Sequence, residues 1–136
     1  MGEMITKGNK KLKTVFLLDD ETSWLEIMSE VLKQEHYHVI TADNGEEALR
    51  KLEKTKPDLI LSDLRMPIMN GYDFFEKVRS IPKLSSVPFV FMSSIDDYDA
   101  KKVAKQLGAD AYIEKPFDTR DAKATVADLL SRFKNR

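Results

Sequence analysis

Four short apolar runs in this sequence each end in a residue able to do chemistry. Thr14-Val15-Phe16-Leu17-Leu18 ends in Asp19-Asp20-Glu21, and Leu59-Ile60-Leu61 ends in Ser62-Asp63. Val87-Pro88-Phe89-Val90-Phe91-Met92 ends in Ser93-Ser94, and Ala111-Tyr112-Ile113 ends in Glu114-Lys115-Pro116. Three carboxylates brought to one small site repel one another and need a counter-charge. A hard divalent cation supplies it, and carboxylate oxygens with water suit Mg²⁺. Lys115 adds an ammonium and Ser93 and Ser94 add hydroxyls, the groups that stabilise charge on a transferring phosphoryl group. A carboxylate can itself be the nucleophile toward a phosphoryl donor. Asp63 is the best candidate, because the pair Asp19-Asp20 is better suited to the metal.

These residues can meet only if their runs are neighbouring strands. The sequence alternates accordingly. The first apolar run fits a strand buried on both faces, the other three read as strands too, and His38-Val39-Ile40-Thr41-Ala42 adds a further strand. Between them, apolar residues recur at helical spacing. Trp24, Ile27, Met28, Val31 and Leu32 form the stripe of a first helix. Ala48, Leu49 and Leu52 mark a second, capped by Asn44 and stopped before Pro57. Phe74, Phe75 and Val78 mark a third. Ala100, Val103, Ala104 and Leu107 mark a fourth that stops at Gly108. Ala122, Val126, Leu129, Leu130 and Phe133 mark a fifth. Five strand–helix repeats predict an α/β fold, a parallel sheet with helices on both faces. In such sheets ligands bind outside the carboxyl ends of the strands where the strand order reverses, which is where the four runs deliver their polar ends. The second strand offers only Asp43 and Asn44, away from that reversal.

Composition narrows the field. The 136 residues fit one domain, with 22 basic residues against 23 acidic ones and a formal charge of −1. No cysteine is present, which excludes a disulfide scaffold, a thiolate zinc site and a thiol nucleophile. The two histidines, His36 and His38, make a histidine-rich metal site a poor fit. The near-neutral charge argues against a broad basic face for nucleic acid. No apolar run approaches the roughly 20 residues of a membrane helix, and Met1 to Lys13 lacks the apolar centre of a signal peptide. A cytoplasmic protein is therefore expected. Residues 1–13, with Lys7, Lys10, Lys11 and Lys13 against Glu3, read as a flexible basic tail before a single domain over 14–136.

Taken together, the motifs resemble the receiver domain of two-component response regulators, in particular single-domain, chemotaxis-regulator-like members, over about Thr14 to Phe133. The acidic pair Asp19-Asp20, the run Asp63-Leu64-Arg65-Met66-Pro67-Ile68-Met69-Asn70-Gly71, Ser93, Tyr112 three residues before Lys115, and Lys115-Pro116-Phe117 carry the resemblance. It implies a flavodoxin-like, doubly wound five-stranded parallel sheet in the order 2-1-3-4-5 with five helices. It implies that Asp63 accepts a phosphoryl group from a phosphohistidine of a sensor kinase or histidine phosphotransfer protein. Asp20 and Asp63 would hold Mg²⁺ directly, Asp19 mainly through water, and Arg65 through its backbone carbonyl. Lys115 would pair with the phosphoryl oxygens across a cis Lys115-Pro116 bond. Ser93 would be the switch hydroxyl and Tyr112 the aromatic switch, so that the face of the fourth helix, fifth strand and fifth helix changes shape and controls a downstream protein.

Such a protein would be a signalling switch, catalysing only its own phosphorylation and slow self-hydrolysis. It would be a monomer or a phosphorylation-dependent dimer. With no helix-turn-helix segment after the receiver, nucleic acid is not expected among its partners, and neither is a membrane. The start at Met1 favours a single-domain regulator over a receiver excised from a larger protein. Two positions depart from the family's commonest pattern. Ser94 stands where Ala is usual, and Leu25 falls off the first helix's stripe as an exposed apolar residue near the acidic pocket. A Mg²⁺-dependent phosphatase is the enzymatic alternative, disfavoured by Arg65 where a second Asp would be needed. A receiver-like scaffold that works without phosphorylation is the other, disfavoured because Asp63, Lys115 and the acidic pair are intact.

Overall fold

The computed structural model describes residues 12–133. The expected tail, 1–13, lies almost wholly outside the described residues. Its last residue, Lys13, already joins the sheet through a carbonyl that accepts the His38 amide (2.9 Å). Elements follow in the order β1 (Thr14–Leu18), α1 (Thr22–Gln34), β2 (His38–Ala42), α2 (Gly45–Leu52), β3 (Leu59–Asp63), α3 (Gly71–Ser80), a 3-10 turn (Pro82–Leu84), β4 (Phe89–Ser94), α4 (Ala100–Leu107), β5 (Ala111–Lys115) and α5 (Thr119–Arg132). All strand pairs are parallel, in the order β2-β1-β3-β4-β5. This is the flavodoxin-like α/β architecture expected from the sequence.

Side chains alternate across a strand, so each central strand feeds two cores. Phe16, Leu18, Ile60, Phe89 and Phe91 face α2, α3 and α4 and pack with Ala48, Leu52, Phe74, Phe75 and Ala104. Val15, Leu17, Leu59, Leu61, Val90 and Met92 face α1 and α5 and pack with Met28, Leu32, Val126 and Leu129. Four phenylalanines clasp one another in the first core, with Phe75 edge-on to Phe89 at 4.9 Å and Phe89 4.9 Å from Phe91. Full burial of one such side chain contributes about 1.5–3 kcal/mol, so these two layers hold the strand ends rigidly.

Two elements differ from the sequence reading, each for a physical reason. The fourth strand begins at Phe89, because Pro88 has no N–H to give the ladder. It runs on through Ser93 and Ser94, which pair with Glu114 and Lys115 of β5. In α1 the buried stripe is displaced by one position. Leu25, Met28 and Leu32 face the core, whereas Ile27 is 48 % exposed. Leu25 is therefore a packing residue and not the exposed one expected. Spacing alone could not choose between stripes starting at Trp24 and at Leu25, because both have apolar partners three and seven positions on.

Turn chemistry sets where the chain re-enters the sheet. The side chains of Asn44, Asn70 and Asp118 cap α2, α3 and α5 by accepting backbone amides. Gly108 ends α4 at φ 90°. Gly71 starts α3 against the β3 terminus. A Cβ there would lie 2.6 Å from the Asp63 carbonyl oxygen and 2.8 Å from Leu64 Cα. Only glycine lets the β3–α3 loop close this tightly behind Asp63.

Candidate functional site

β1 and β3 are adjacent and in register, Leu18 opposite Ser62. One residue further, Asp19 and Asp63 leave the sheet side by side at the point where the strand order reverses. Carboxylate oxygens of Asp19, Asp20 and Asp63 all lie within 4.8 Å of one another. Asp19 and Asp63 are buried and Asp20 is exposed, so the cluster is a pocket open on one side.

Lys115 closes the other side. Its Nζ is 2.8 Å from Asp19 Oδ2, 3.5 Å from Glu21 Oε1 and 3.7 Å from Asp63 Oδ2, with the side chain only 5 % exposed. The Lys115-Pro116 bond is cis. The ammonium also lies 5.5 Å from the centroid of Trp24, whose ring packs on Phe117. Trp24 is thus a half-buried wall of the pocket. Asp19 keeps its orientation through Oδ1, which accepts the Glu21 amide at 2.9 Å.

The charge balance is uneven: three carboxylates face one ammonium. Burial, and then the neighbouring charges of Asp19 and Asp20, push Asp63 up to about 7 against the pull of Lys115. Burial also raises Asp19, although its hydrogen bond from Lys115 opposes this. Burial pulls Lys115 down, but its hydrogen bond and charge contact with Asp19, reinforced by Asp63 and Glu21, leave it above its usual value. An all-oxygen donor set with surplus negative charge, two of its three carboxylates buried, fits a hard divalent cation such as Mg²⁺, so the residues present suit the metal that the sequence implied.

The remaining predicted residues surround this pocket without all entering it. Ser93 is buried at the end of β4, and its hydroxyl donates to Asp97 Oδ2 at 3.0 Å rather than to Asp63. Arg65, two residues after Asp63, directs its side chain to the same Asp97, Nε to Oδ2 at 2.5 Å and Nη2 to Oδ1 at 3.1 Å. Tyr112 is half-buried and packs against the core shared by α3 and α4. Burial, then the nearby charges of Glu114 and Asp97, raise its phenol. The Ser94 hydroxyl accepts the Asp96 amide at 3.1 Å and so braces the β4–α4 loop. Sequence reasoning missed Asp97 and the Lys115 contact of Glu21. For Glu21 the unbroken acidic run was a usable signal. For Asp97, one of three acids in Asp96-Asp97-Tyr98-Asp99, spacing gave none.

Comparison with known proteins agrees with this geometry. The response regulator receiver domain family matches residues 15–127. A probable transcriptional regulator, ycf27 of Cyanidium caldarium, is 35 % identical over 130 residues, covering 96 % of this chain and 51 % of that protein. The alkaline phosphatase synthesis transcriptional regulatory protein PhoP of Bacillus subtilis is 38 % identical over 120 residues, covering 88 % of this chain and 49 % of that one. Among solved structures, the chemotaxis response regulator CheY4 of Vibrio cholerae superposes with TM-score 0.79 at 30 % identity, covering 87 % of this chain and 98 % of that chain. The signal receiver domain of a signal transduction histidine kinase from Syntrophus aciditrophicus gives TM-score 0.82 at 30 % identity, covering 91 % and 94 %.

The chain spans about half the length of the curated relatives it matches. Their names correct one expectation. The expected absence of nucleic acid among the partners does not stand, because relatives this similar are named transcriptional regulators. The near-neutral charge that argued against it describes these 136 residues alone. No helix among the described residues is long and apolar enough to cross a membrane. An acidic pocket and a lysine at the strand-order reversal of a 2-1-3-4-5 sheet, together with a family match over residues 15–127, place this chain among the response regulator receiver domains of two-component signal transduction.

Proposed function

We propose that the chain is a phosphorylation-dependent switch whose phosphoacceptor is Asp63. The observation that carries this is the crowding of Asp19, Asp20 and Asp63 around a single ammonium. Asp20 and Asp63 would hold Mg²⁺ directly, with Asp19 acting through water and Arg65 through its backbone carbonyl. When bound, the cation supplies the positive charge that neutralises the carboxylates and orients phosphoryl oxygens. Without such a charge Asp63 is only about half ionised near pH 7, and a protonated carboxyl is a poor nucleophile.

In the forward step an ionised Asp63 oxygen forms a bond to the phosphorus of a phosphohistidine on a sensor kinase or phosphotransfer protein. The P–N bond breaks, and the imidazole keeps the electron pair. Lys115, held between Asp19 and Asp63, moves its ammonium onto the phosphoryl oxygens as the negative charge grows. In slow self-hydrolysis a water oxygen replaces Asp63 on phosphorus, and the carboxylate is regenerated. The added charge of about −1.5 to −2 draws the Ser93 hydroxyl inward. Tyr112 follows from its half-buried position, and the α4-β5-α5 face changes for a downstream protein partner, as monomer or phosphorylation-dependent dimer. The receiver unit spans residues 14–136 and works in the cytoplasm.

Intact-mass analysis after incubation with acetyl phosphate and Mg²⁺ tests this. One added phosphoryl group is expected, absent in Asp63→Asn and absent when the metal is chelated. An unchanged mass in the wild-type protein at every time point would refute the reading.

A further inference from the structure

The Ser93 hydroxyl is committed elsewhere in this structure. It donates to Asp97 Oδ2 at 3.0 Å, and the same oxygen accepts Arg65 Nε while Arg65 Nη2 reaches Oδ1. Asp97 thus joins the β3–α3 loop, through Arg65, to the end of β4, through Ser93. Its backbone is fixed as well. Asp97 donates its amide to Ser94 and Ile95 donates to Lys115 on β5, each at 2.9 Å. A serine has one O–H to give and cannot serve two acceptors on different sides at once.

We infer that Asp97 is a positioning residue that withholds the Ser93 hydroxyl, and the Arg65 guanidinium with it, from a phosphoryl group on Asp63, and so sets the threshold of the switch. The inference rests on the phosphorylation reading above and adds its regulation. In the resting state, Ser93 and Arg65 both satisfy Asp97. A phosphoryl group on Asp63 presents new acceptors and charge to the same two donors. Recruiting Ser93 therefore breaks a hydrogen bond to a charged acceptor, and that cost opposes activation. Asp97 is held by a guanidinium as well as a hydroxyl, so the latch is an ion pair and a hydrogen bond at once. Removing the carboxylate takes away a contact that only the resting state makes. The equilibrium then shifts toward the occupied state by the differential contact that is lost.

The test uses the full chain with saturating Mg²⁺ and beryllofluoride, an acyl-phosphate mimic. Binding is followed by the fluorescence of Trp24, whose ring is 5.5 Å from the Lys115 ammonium. Asp97→Ala is expected to tighten beryllofluoride binding about five- to tenfold, from the strength of a partly exposed charge-assisted hydrogen bond. Asp97→Asn, which keeps an acceptor of the same shape, should give a smaller gain. Mg²⁺ affinity without beryllofluoride should stay within about twofold of wild type. In a Ser93→Ala background the gain from Asp97→Ala should shrink to the part that comes from releasing Arg65.

An equal gain in both backgrounds would overturn the latch, because removal of one negative charge would then explain everything. So would the absence of any gain in Asp97→Ala while wild type binds and Asp63→Asn does not, a result that leaves the phosphoacceptor reading standing. Wild-type protein that fails to bind beryllofluoride would overturn both.

Discussion

Replacing Asp63 with Asn should make the metal-free protein more stable, and more so as pH rises. Asp63 is 4 % exposed, and burial and the neighbouring acids raise its folded-state value from 3.8 to about 7. A carboxyl raised in this way holds its proton more tightly folded than unfolded. Its favourable contribution is complete below about pH 4 and is lost as the pH climbs from there to about 7. The shift is roughly three units, each worth about 1.36 kcal/mol, which bounds the cost of the ionised group at about 4 kcal/mol. Water entering the open side through Asp20 lowers this, so Asp63→Asn should gain about 2–4 kcal/mol at pH 8. That corresponds to a rise in Tm of roughly 6–15 °C for a chain of this size. At pH 5 the gain should fall to half or less. Calorimetric melts in chelator at pH 5 and pH 8 measure this directly. Millimolar Mg²⁺ should then narrow the gap by binding the folded wild type better than the variant. Wild-type and variant melting temperatures that run parallel from pH 5 to 8 would refute the electrostatic account of the pocket.

Three further outcomes follow from the scaffold. Ile68 is a fully exposed, β-branched residue at φ 68°, where a left-handed backbone costs roughly 1–2 kcal/mol. Ile68→Gly should therefore raise the chemical-denaturation midpoint slightly, by up to about 1 kcal/mol in stability, and a loss would refute the strain. Leu25→Ala should destabilise by about 1–2 kcal/mol, whereas Ile27→Ala should stay within about 0.5 kcal/mol. The reverse order would overturn the α1 register described above. Gly71→Ala should cost about 2–4 kcal/mol, because its Cβ would press on the backbone of Asp63 and Leu64. It should also weaken Mg²⁺ binding, read by the same tryptophan fluorescence, since that backbone carries the acidic side chain.

The fold was legible because its determinants are local and repeated. Runs such as Leu59-Ile60-Leu61 allow little but a strand buried on both faces, and five strand segments separated by amphipathic stretches leave few windings. The acidic pocket was legible for a related reason. Asp19 and Asp63 sit where adjacent strands end, so parallel register alone brings them together, and Lys115, at the end of β5, spans the intervening strands with its long side chain to lie 2.8 Å from Asp19 across 96 residues of chain. The α1 register was not legible, because Trp24 and Leu25 are both large and apolar and only packing on Met28 and Leu32 distinguishes them. Asp97 was not legible either. Its role depends on which of several neighbouring acids turns toward Arg65, and that is decided by the curl of the loop that begins when Ser94 accepts the Asp96 amide. Strand ends fix position through the backbone ladder, and loop side chains fix it through mutual competition for partners. The acids and the lysine that would do the chemistry belong to the first kind, and the hydroxyl and guanidinium that would regulate it are held by the second. A sequence of this family therefore exposes what the pocket can do before it exposes how readily the pocket switches.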